Sequence, residues 1–316
     1  MTGNEAPSCI LCGGEASGPA FPYATRWEGK LFLYLECGTC RNSFVDPLPS
    51  MADLDRLFSR SAYHDVYYGS CEPRPNHLDC LAFMREHFGE GATLLDFGCA
   101  TGAFMKAAAA QGYLCAGIER DQEVVSAARA TTGLEVTTLN QALAAGARFD
   151  IVHVGDVIGH LPRPAATMRD LRALLAPGGR FVIEGPLEKQ PSLVYFSAAG
   201  LKWLRRRLAR RIEGDTPPYH LSLLRWSGML HFIERVLGWE CEAVELIEDG
   251  WPYPATLPAR PSAGDRIRNL IARSAITAAR HPVGRRLGLA NRFRAIVRPV
   301  ERSQGVVLKR GDRLSA

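Results

Sequence analysis

Leu94-Leu95-Asp96-Phe97-Gly98-Cys99-Ala100-Thr101-Gly102 reads as a buried strand that breaks into a glycine turn and passes into a helix. A short apolar run ahead of a glycine suits a strand covered on both faces. Gly98 and Gly102 let backbone approach a ligand where a β-carbon would clash. The segment is not a triphosphate loop, because no Gly-Lys-Ser/Thr follows it. Read as a dinucleotide fingerprint, Gly98-x-Ala100-x-x-Ala103 lacks its middle glycine. The loop by itself is equally a tight strand-to-helix turn.

Working outward, strands and helices alternate. The pattern predicts strands at 93–97, 114–118, 134–138, 149–154 and 180–184, with helices at 103–111, 123–131 and 168–175 between them. Such alternation implies a parallel, doubly wound sheet that binds ligands beyond the carboxyl ends of its strands. A further helix around 222–237, a strand at 239–246 and a terminal strand at 305–309 follow. Upstream, short helices are expected at 51–58 and 78–88. Glu119 closes the second strand, where a carboxylate can accept both hydroxyls of a ribose. NAD enzymes use that acid too, so it supports a nucleoside ligand without naming it.

From Leu94 to Pro186 the sequence resembles the class I S-adenosylmethionine (SAM)-dependent methyltransferases. The resemblance rests on Asp96-Phe97-Gly98-Cys99-Ala100-Thr101-Gly102, Gly117-Ile118-Glu119, Phe149-Asp150-Ile151-Val152, Asp156-Val157-Ile158-Gly159-His160 and Leu174-Leu175-Ala176-Pro177-Gly178-Gly179. It implies that Gly98, Ala100 and Gly102 line the methionine part of SAM and that Asp96 orders this loop or holds the amino group. It further implies that Glu119 takes the ribose, Asn140 contacts adenine, and Asp156 borders the reacting sulfonium. Ala100 departs from the family's usual glycine and leaves less room. Tyr67, with Tyr68, either closes over SAM or packs the two parts of the chain together.

Cys9-x2-Cys12 and Cys37-x2-Cys40 form a four-thiolate spacing of the zinc-ribbon type, with glycines at Gly13, Gly14 and Gly38 for tight knuckles. Four sulfurs leave no open position, so the expected Zn2+ is structural. A redox role for either pair is the alternative, although neither opens a helix in a βαβ unit. Cys71, Cys80, Cys99, Cys115 and Cys241 are scattered singly and read as small buried hydrophobes. The ribbon, the Pro47-Leu48-Pro49 exit, the tyrosines at 63, 67 and 68 and the SAM core together resemble, over roughly residues 9–250, a bacterial group tied to glycan, glycolipid or natural-product methylation. The expected fold is therefore α/β: a Rossmann-like class I methyltransferase sheet with a small N-terminal zinc ribbon and helical basic insertions. Its expected divisions are a ribbon at 1–46, a helical linker or cap at 47–91, and a SAM-binding domain at 92–316 with insertions at about 187–220 and 251–300.

The net charge of +5 is unevenly spread. Residues 201–211 carry six basic side chains and no acid, and residues 251–300 carry ten arginines against Asp265 alone. Leu201, Trp203, Leu204, Leu208 and Ile212 alternate with arginines, as on a helix lying on anionic lipid. The same residues fit two docked helices with solvated arginines, or a grip on nucleic acid, the less favoured partner. Peripheral contact with an anionic membrane through 201–212 and 260–298 is the expectation carried forward. Residues 1–7 lack the basic-then-apolar pattern of an export signal and no stretch is long and apolar enough to span a bilayer, so the expectation is a cytoplasmic protein, with a peripheral place at the inner membrane face as the variant of it.

Methyl transfer to oxygen needs a group that takes the acceptor's proton. His160 and His220 are the leading candidates, with His153, Asp156 and the tyrosines behind them. His160 is also readable as a histidine that orients its loop. Three functions stay open: methylation of a saccharide, lipid-linked glycan or small metabolite, which the sequence favours; methylation of RNA; and a non-catalytic SAM-binding scaffold, which the intact Asp96, Gly98, Gly102 and Glu119 argue against.

Overall fold

The computed structural model describes residues 7–64, 70–208, 214, 216–253 and 256–300. The strands among them are β1 (Ala16–Trp27), β2 (Lys30–Cys37), β3 (Ser43–Asp46), β4 (Thr93–Phe97), β5 (Leu114–Ile118), β6 (Glu135–Thr137), β7 (Phe149–Gly155), β8 (Leu175–Pro186), β9 (Ser222–Leu223), β10 (Glu240–Ile247) and β11 (Arg292–Arg298). Seven of them form one sheet in the order β10-β11-β8-β7-β4-β5-β6. The pairs from β8 to β6 are parallel, whereas β11 runs antiparallel to both β8 and β10. This is the α/β, doubly wound sheet anticipated from the alternation, with an antiparallel edge added at β11 and β10.

Helices Pro75–Arg85, Ala103–Ala109, Gln122–Thr132, Leu139–Ala144 and Pro164–Arg172 cross between or cover these strands. Leu94, Ile151, Val152, Phe181, Val182 and Ile296 have no more than traces of exposed surface. Both faces are covered, so the strands read as continuous apolar runs rather than alternating ones. Full burial of each such side chain contributes about 1.5–3 kcal/mol before entropy is counted. The Phe181 ring stacks on Trp239 at 4.8 Å, tying β8 to the residue that leads into β10.

The expected terminal strand at 305–309 lies outside the described residues. The strand beside β8 is Arg292–Arg298, which the sequence assigned to a basic insertion. The period-two frame Phe293, Ala295, Val297 signals that strand, but the interleaved Arg292 and Arg294 disguise it as surface. Both arginines are buried and ion-paired, and residues 292–297 are buried throughout, so that part of 260–298 faces no membrane. The helix expected over 222–237 begins only at Trp226. Its end, Phe232–Leu237, is π-helical, and Ser222–Leu223 is a strand.

That strand completes a second sheet, β1-β2-β3-β9, antiparallel throughout. Gly214 and residues 220–223 are thus stitched to the N-terminal hairpins. Thr25 bridges Gly214, the Val45 amide donates to Leu221 O at 2.9 Å, and Tyr34 Oη donates to His220 O at 2.6 Å. Helices Leu193–Leu208 and Ala263–Arg280 touch each other on the surface. They leave Trp203, Leu204, Leu208, Ile267 and Leu270 exposed. No helix among the described residues is long and apolar enough to cross a membrane.

Candidate active site

The glycine loop is closed by its own backbone. The amides of Gly98 and Cys99 both donate to Ile118 O, at 2.8 and 3.1 Å, pinning the turn to the end of β5. Gly98 has φ +79°, and a β-carbon there would stand 2.6 Å from Val157 Cγ2. Ala100 also takes a left-handed conformation, φ 48°, which costs an L-residue about 1–2 kcal/mol. Its amide donates to Glu119 Oε2 at 3.0 Å, and Arg120 N donates to Glu119 Oε1 at 2.6 Å. The first turn of helix Ala103–Ala109 has no side-chain cap.

Asp96, Gly98, Ala100, Glu119, Asn140 and Asp156 all line one cavity of about 630 Å³ beyond the carboxyl ends of β4, β5 and β7. That volume lies within the range of sites for cofactor-sized ligands. Gly102, by contrast, is no part of the lining; it packs under the loop, where a β-carbon would meet Thr132 Cγ2 at 2.5 Å. Tyr67 lies outside the described residues. Each Glu119 oxygen accepts one backbone amide, and a carboxylate keeps further lone pairs for hydroxyls in the cavity.

The cavity floor is a buried charged network that the sequence did not reveal. His153 Nδ1 lies 2.7 Å from Asp96 Oδ1, its ring stacks on Phe104 at 3.9 Å, and Nε2 faces Glu184 Oε1 at 3.8 Å. Arg294 Nε donates to Glu184 Oε2 at 3.1 Å. Burial disfavours the His153 imidazolium, but Asp96, Cys80 and Glu184 outweigh it and hold the group protonated well above its ordinary range. Burial likewise opposes the Glu184 carboxylate, yet His153, Arg292 and Arg294 draw it down to about 2. His153 is thus a charged floor residue, not a proton acceptor facing a substrate.

A second cavity of about 940 Å³ adjoins the first, sharing Tyr63, Arg74, Asn76, Asp156 and His160 with it. Asp156, at φ 55°, sits at this junction, its Oδ1 accepting from Arg292 Nη2 at 2.7 Å. Left-handed strain of this kind is found where a side chain must be aimed. His160 Nδ1 donates to Tyr219 O at 2.7 Å, which leaves Nε2 to accept from Tyr63 Oη at 3.2 Å. Burial and the neighbouring His220 push the His160 pKa down to about 3, so it stays neutral. This geometry fits the loop-orienting reading of His160. The His220 ring is 4.6 Å away and pairs through Nδ1 with Glu188 Oε1. Burial disfavours the His220 cation, but Glu188 and Asp156 outweigh it, raising its pKa. Glu188, Tyr34, Arg292 and Arg294 line this cavity and were not singled out from sequence. Only β9 and β11, pairings made across more than a hundred residues, bring them there.

The four ribbon cysteines converge. Cys9 Sγ is 3.8 Å from Cys40 Sγ, and Cys12 Sγ is 3.5 Å from Cys37 Sγ. A tetrahedron with Zn–S bonds of about 2.3 Å has sulfur–sulfur edges of about 3.8 Å, so the thiols fit one zinc ion. The knuckle leaves no room for side chains at Gly14, where a β-carbon would fall 3.0 Å from Cys37 Sγ. Of the single cysteines, Cys80 and Cys99 are buried; Cys71, Cys115 and Cys241 are partly so.

The model of the family described as "Methyltransferase domain" matches residues 72–243. Ubiquinone biosynthesis O-methyltransferase of Cereibacter sphaeroides is 31% identical over 151 residues, covering 44% of this chain and 61% of the relative. The Stutzerimonas stutzeri protein of the same name is 29% identical over 137 residues, covering 40% and 59%. The chain thus spans about three fifths of the curated relatives it matches. Among solved structures, Burkholderia thailandensis 1,6-didemethyltoxoflavin-N1-methyltransferase, with bound 1,6-didemethyltoxoflavin and S-adenosylhomocysteine, superposes with a TM-score of 0.53. It is 14% identical, covers 90% of this chain and all of its own, and is a likeness of fold.

Proposed function

The chain belongs to the methyltransferase-domain family, in its SAM-dependent class I form, and on that premise we propose that it methylates an oxygen of a saccharide, lipid-linked glycan or other small metabolite. The observation that carries this reading is the pair of cavities meeting at Asp156 and His160. One has the glycine loop and an acid for a nucleoside; the other is walled by tyrosines and by acids and bases already paired. Paired charges and phenols suit a polyhydroxylated acceptor, whose hydroxyls exchange hydrogen bonds without stranding a buried charge.

In this assignment Gly98, Ala100, Asp96 and Asn140 hold SAM, Glu119 takes the ribose hydroxyls, and Asp156 borders the reacting centre. Held there, SAM would supply an activated methyl group on its sulfonium. The protein's work is to align it with the acceptor and exclude water. His220 would take the acceptor's proton. Glu188 steadies the resulting imidazolium. His160 and Tyr63 fix the wall between donor and acceptor. The ribbon cysteines hold a structural Zn2+ that keeps Tyr34 and Thr25 at the acceptor cavity. The exposed apolar and arginine-bearing side chains of 201–208 and 263–287 would rest against an anionic membrane surface when the acceptor is lipid-linked.

Methyl-labelled SAM, purified protein and a lysate of the host test this reading by partition of the label. Label in glycan, lipid or small-molecule fractions is expected. Label in RNA would contradict it and make the same arginines a phosphate grip.

A further inference from the structure

Beneath the glycine loop, three side chains from three elements point at one spot: Cys80 from helix Pro75–Arg85, His153 from β7 and Glu184 from β8. All three are buried, and their ligating atoms lie within 4.8 Å of one another. His153 Nε2 is 3.9 Å from Cys80 Sγ and 3.8 Å from Glu184 Oε1. The second distance is too long for a hydrogen bond. Ligands of one zinc ion, at about 2.0–2.3 Å from it, stand about 3.3–3.6 Å apart, a few tenths of an ångström closer than these atoms.

We propose that Cys80, His153 and Glu184 form a second metal site, distinct from the ribbon, for a divalent cation of zinc's class. A sulfur, a nitrogen and an oxygen donor together select a borderline ion rather than magnesium or calcium. The outer partners are those a metal site needs. Asp96 holds Nδ1 at 2.7 Å and so aims Nε2 at the centre, and Arg294 holds Glu184 Oε2 at 3.1 Å and leaves Oε1 for the ion. The Phe104 ring fixes the imidazole plane.

Charge closes as well. Without the ion the His153 imidazolium and Arg294 offset Asp96 and Glu184; with it, two protons leave as two positive charges arrive, so the cluster stays neutral in both states. On binding, the S–H bond of Cys80 and the N–H bond at Nε2 give way to metal–sulfur and metal–nitrogen bonds, and both protons leave to solvent, with no change of oxidation state. Asp96, His153 and Glu184 line the donor cavity, so the ion's fourth side opens there. The ion would clamp helix Pro75–Arg85 to the sheet under the glycine loop.

The test is a metal count by mass spectrometry on the full chain, stripped with chelator, reloaded with zinc alone and desalted. Two ions per chain are expected in the wild type. Cys80→Ala and Glu184→Gln should each retain one, and a Cys12→Ser, Cys40→Ser variant should retain the other. One ion in the wild type, lost with the ribbon cysteines and kept in Cys80→Ala, overturns the proposal. The wild-type count decides the matter even where a variant fails to fold. Cobalt alone, as a second probe, should give the absorption of a mixed sulfur, nitrogen and oxygen site beside that of a four-sulfur one.

Discussion

At the scale of single residues, the second cavity holds two neighbouring histidines in opposite environments. His160 is kept neutral by burial and by His220, and its two nitrogens are committed to Tyr219 O and Tyr63 Oη. His220 has its cation favoured by Glu188 despite burial. Environments that push like groups apart in pKa are how a site assigns proton acceptor and bystander. As proton acceptor, His220 must be neutral to act, so the rate should rise with pH through a pKa above the ordinary 6.5 of histidine. Removing the Glu188 charge takes away the larger interaction that favours the cation, leaving Asp156, while burial remains. Glu188→Gln should therefore move that limb to lower pH and cut kcat by about 10²-fold or more at its optimum, in keeping with the size of general-base effects. A pH–rate profile superimposable on the wild type would remove His220 from the reaction. The same pair bears on stability with the opposite sign for each member. His160, depressed, favours the fold above pH 6.5 and loses that contribution toward pH 3, whereas His220, raised, favours it at low pH and loses it as pH rises through its folded pKa.

At the scale of elements, the ribbon sheet and the acceptor wall are one piece. β9 pairs with β3, Gly214 bridges Thr25, and Tyr34 donates to His220 O. If the four cysteines hold zinc as proposed, its loss should therefore reach the proposed acceptor cavity while leaving the glycine loop, which is closed by Ile118 and Glu119, intact. Cys12→Ser is expected to lower the melting temperature by several degrees and abolish methyl transfer. S-adenosylhomocysteine affinity should stay within about three-fold, because no ribbon residue lines the donor cavity. Calorimetry and a binding titration on one preparation read both, and affinity falling in step with activity would mean that the ribbon builds the donor site.

At the scale of the molecule, what could be read from sequence divides along the range of the interactions. Asp96 to Gly102 announces its strand, turn and helix locally, and the paired cysteines announce a ligand set by spacing alone, so both were legible. β11 was not, because Arg292 and Arg294 are tolerable in a buried strand only through Asp156 and Glu184, whose approach depends on the finished sheet. The charged floor under the loop and the Glu188–His220 pair were hidden for the same reason: each joins residues that only tertiary structure brings together. Asn140 and Asp156, carried over from the family resemblance, do line that cavity.

The central claim is that the cavity bounded by the glycine loop and Glu119 takes SAM. Titration of the full chain with S-adenosylhomocysteine, wild type against Glu119→Ala, tests it most directly. One molecule should bind per chain, and the variant, with the ribose acceptor gone and the Ala100 amide released, should bind at least about ten-fold more weakly, as losing a charged hydrogen-bond partner costs roughly 1.5–3 kcal/mol. No binding to the wild type, or equal affinity in a folded variant, would contradict the account.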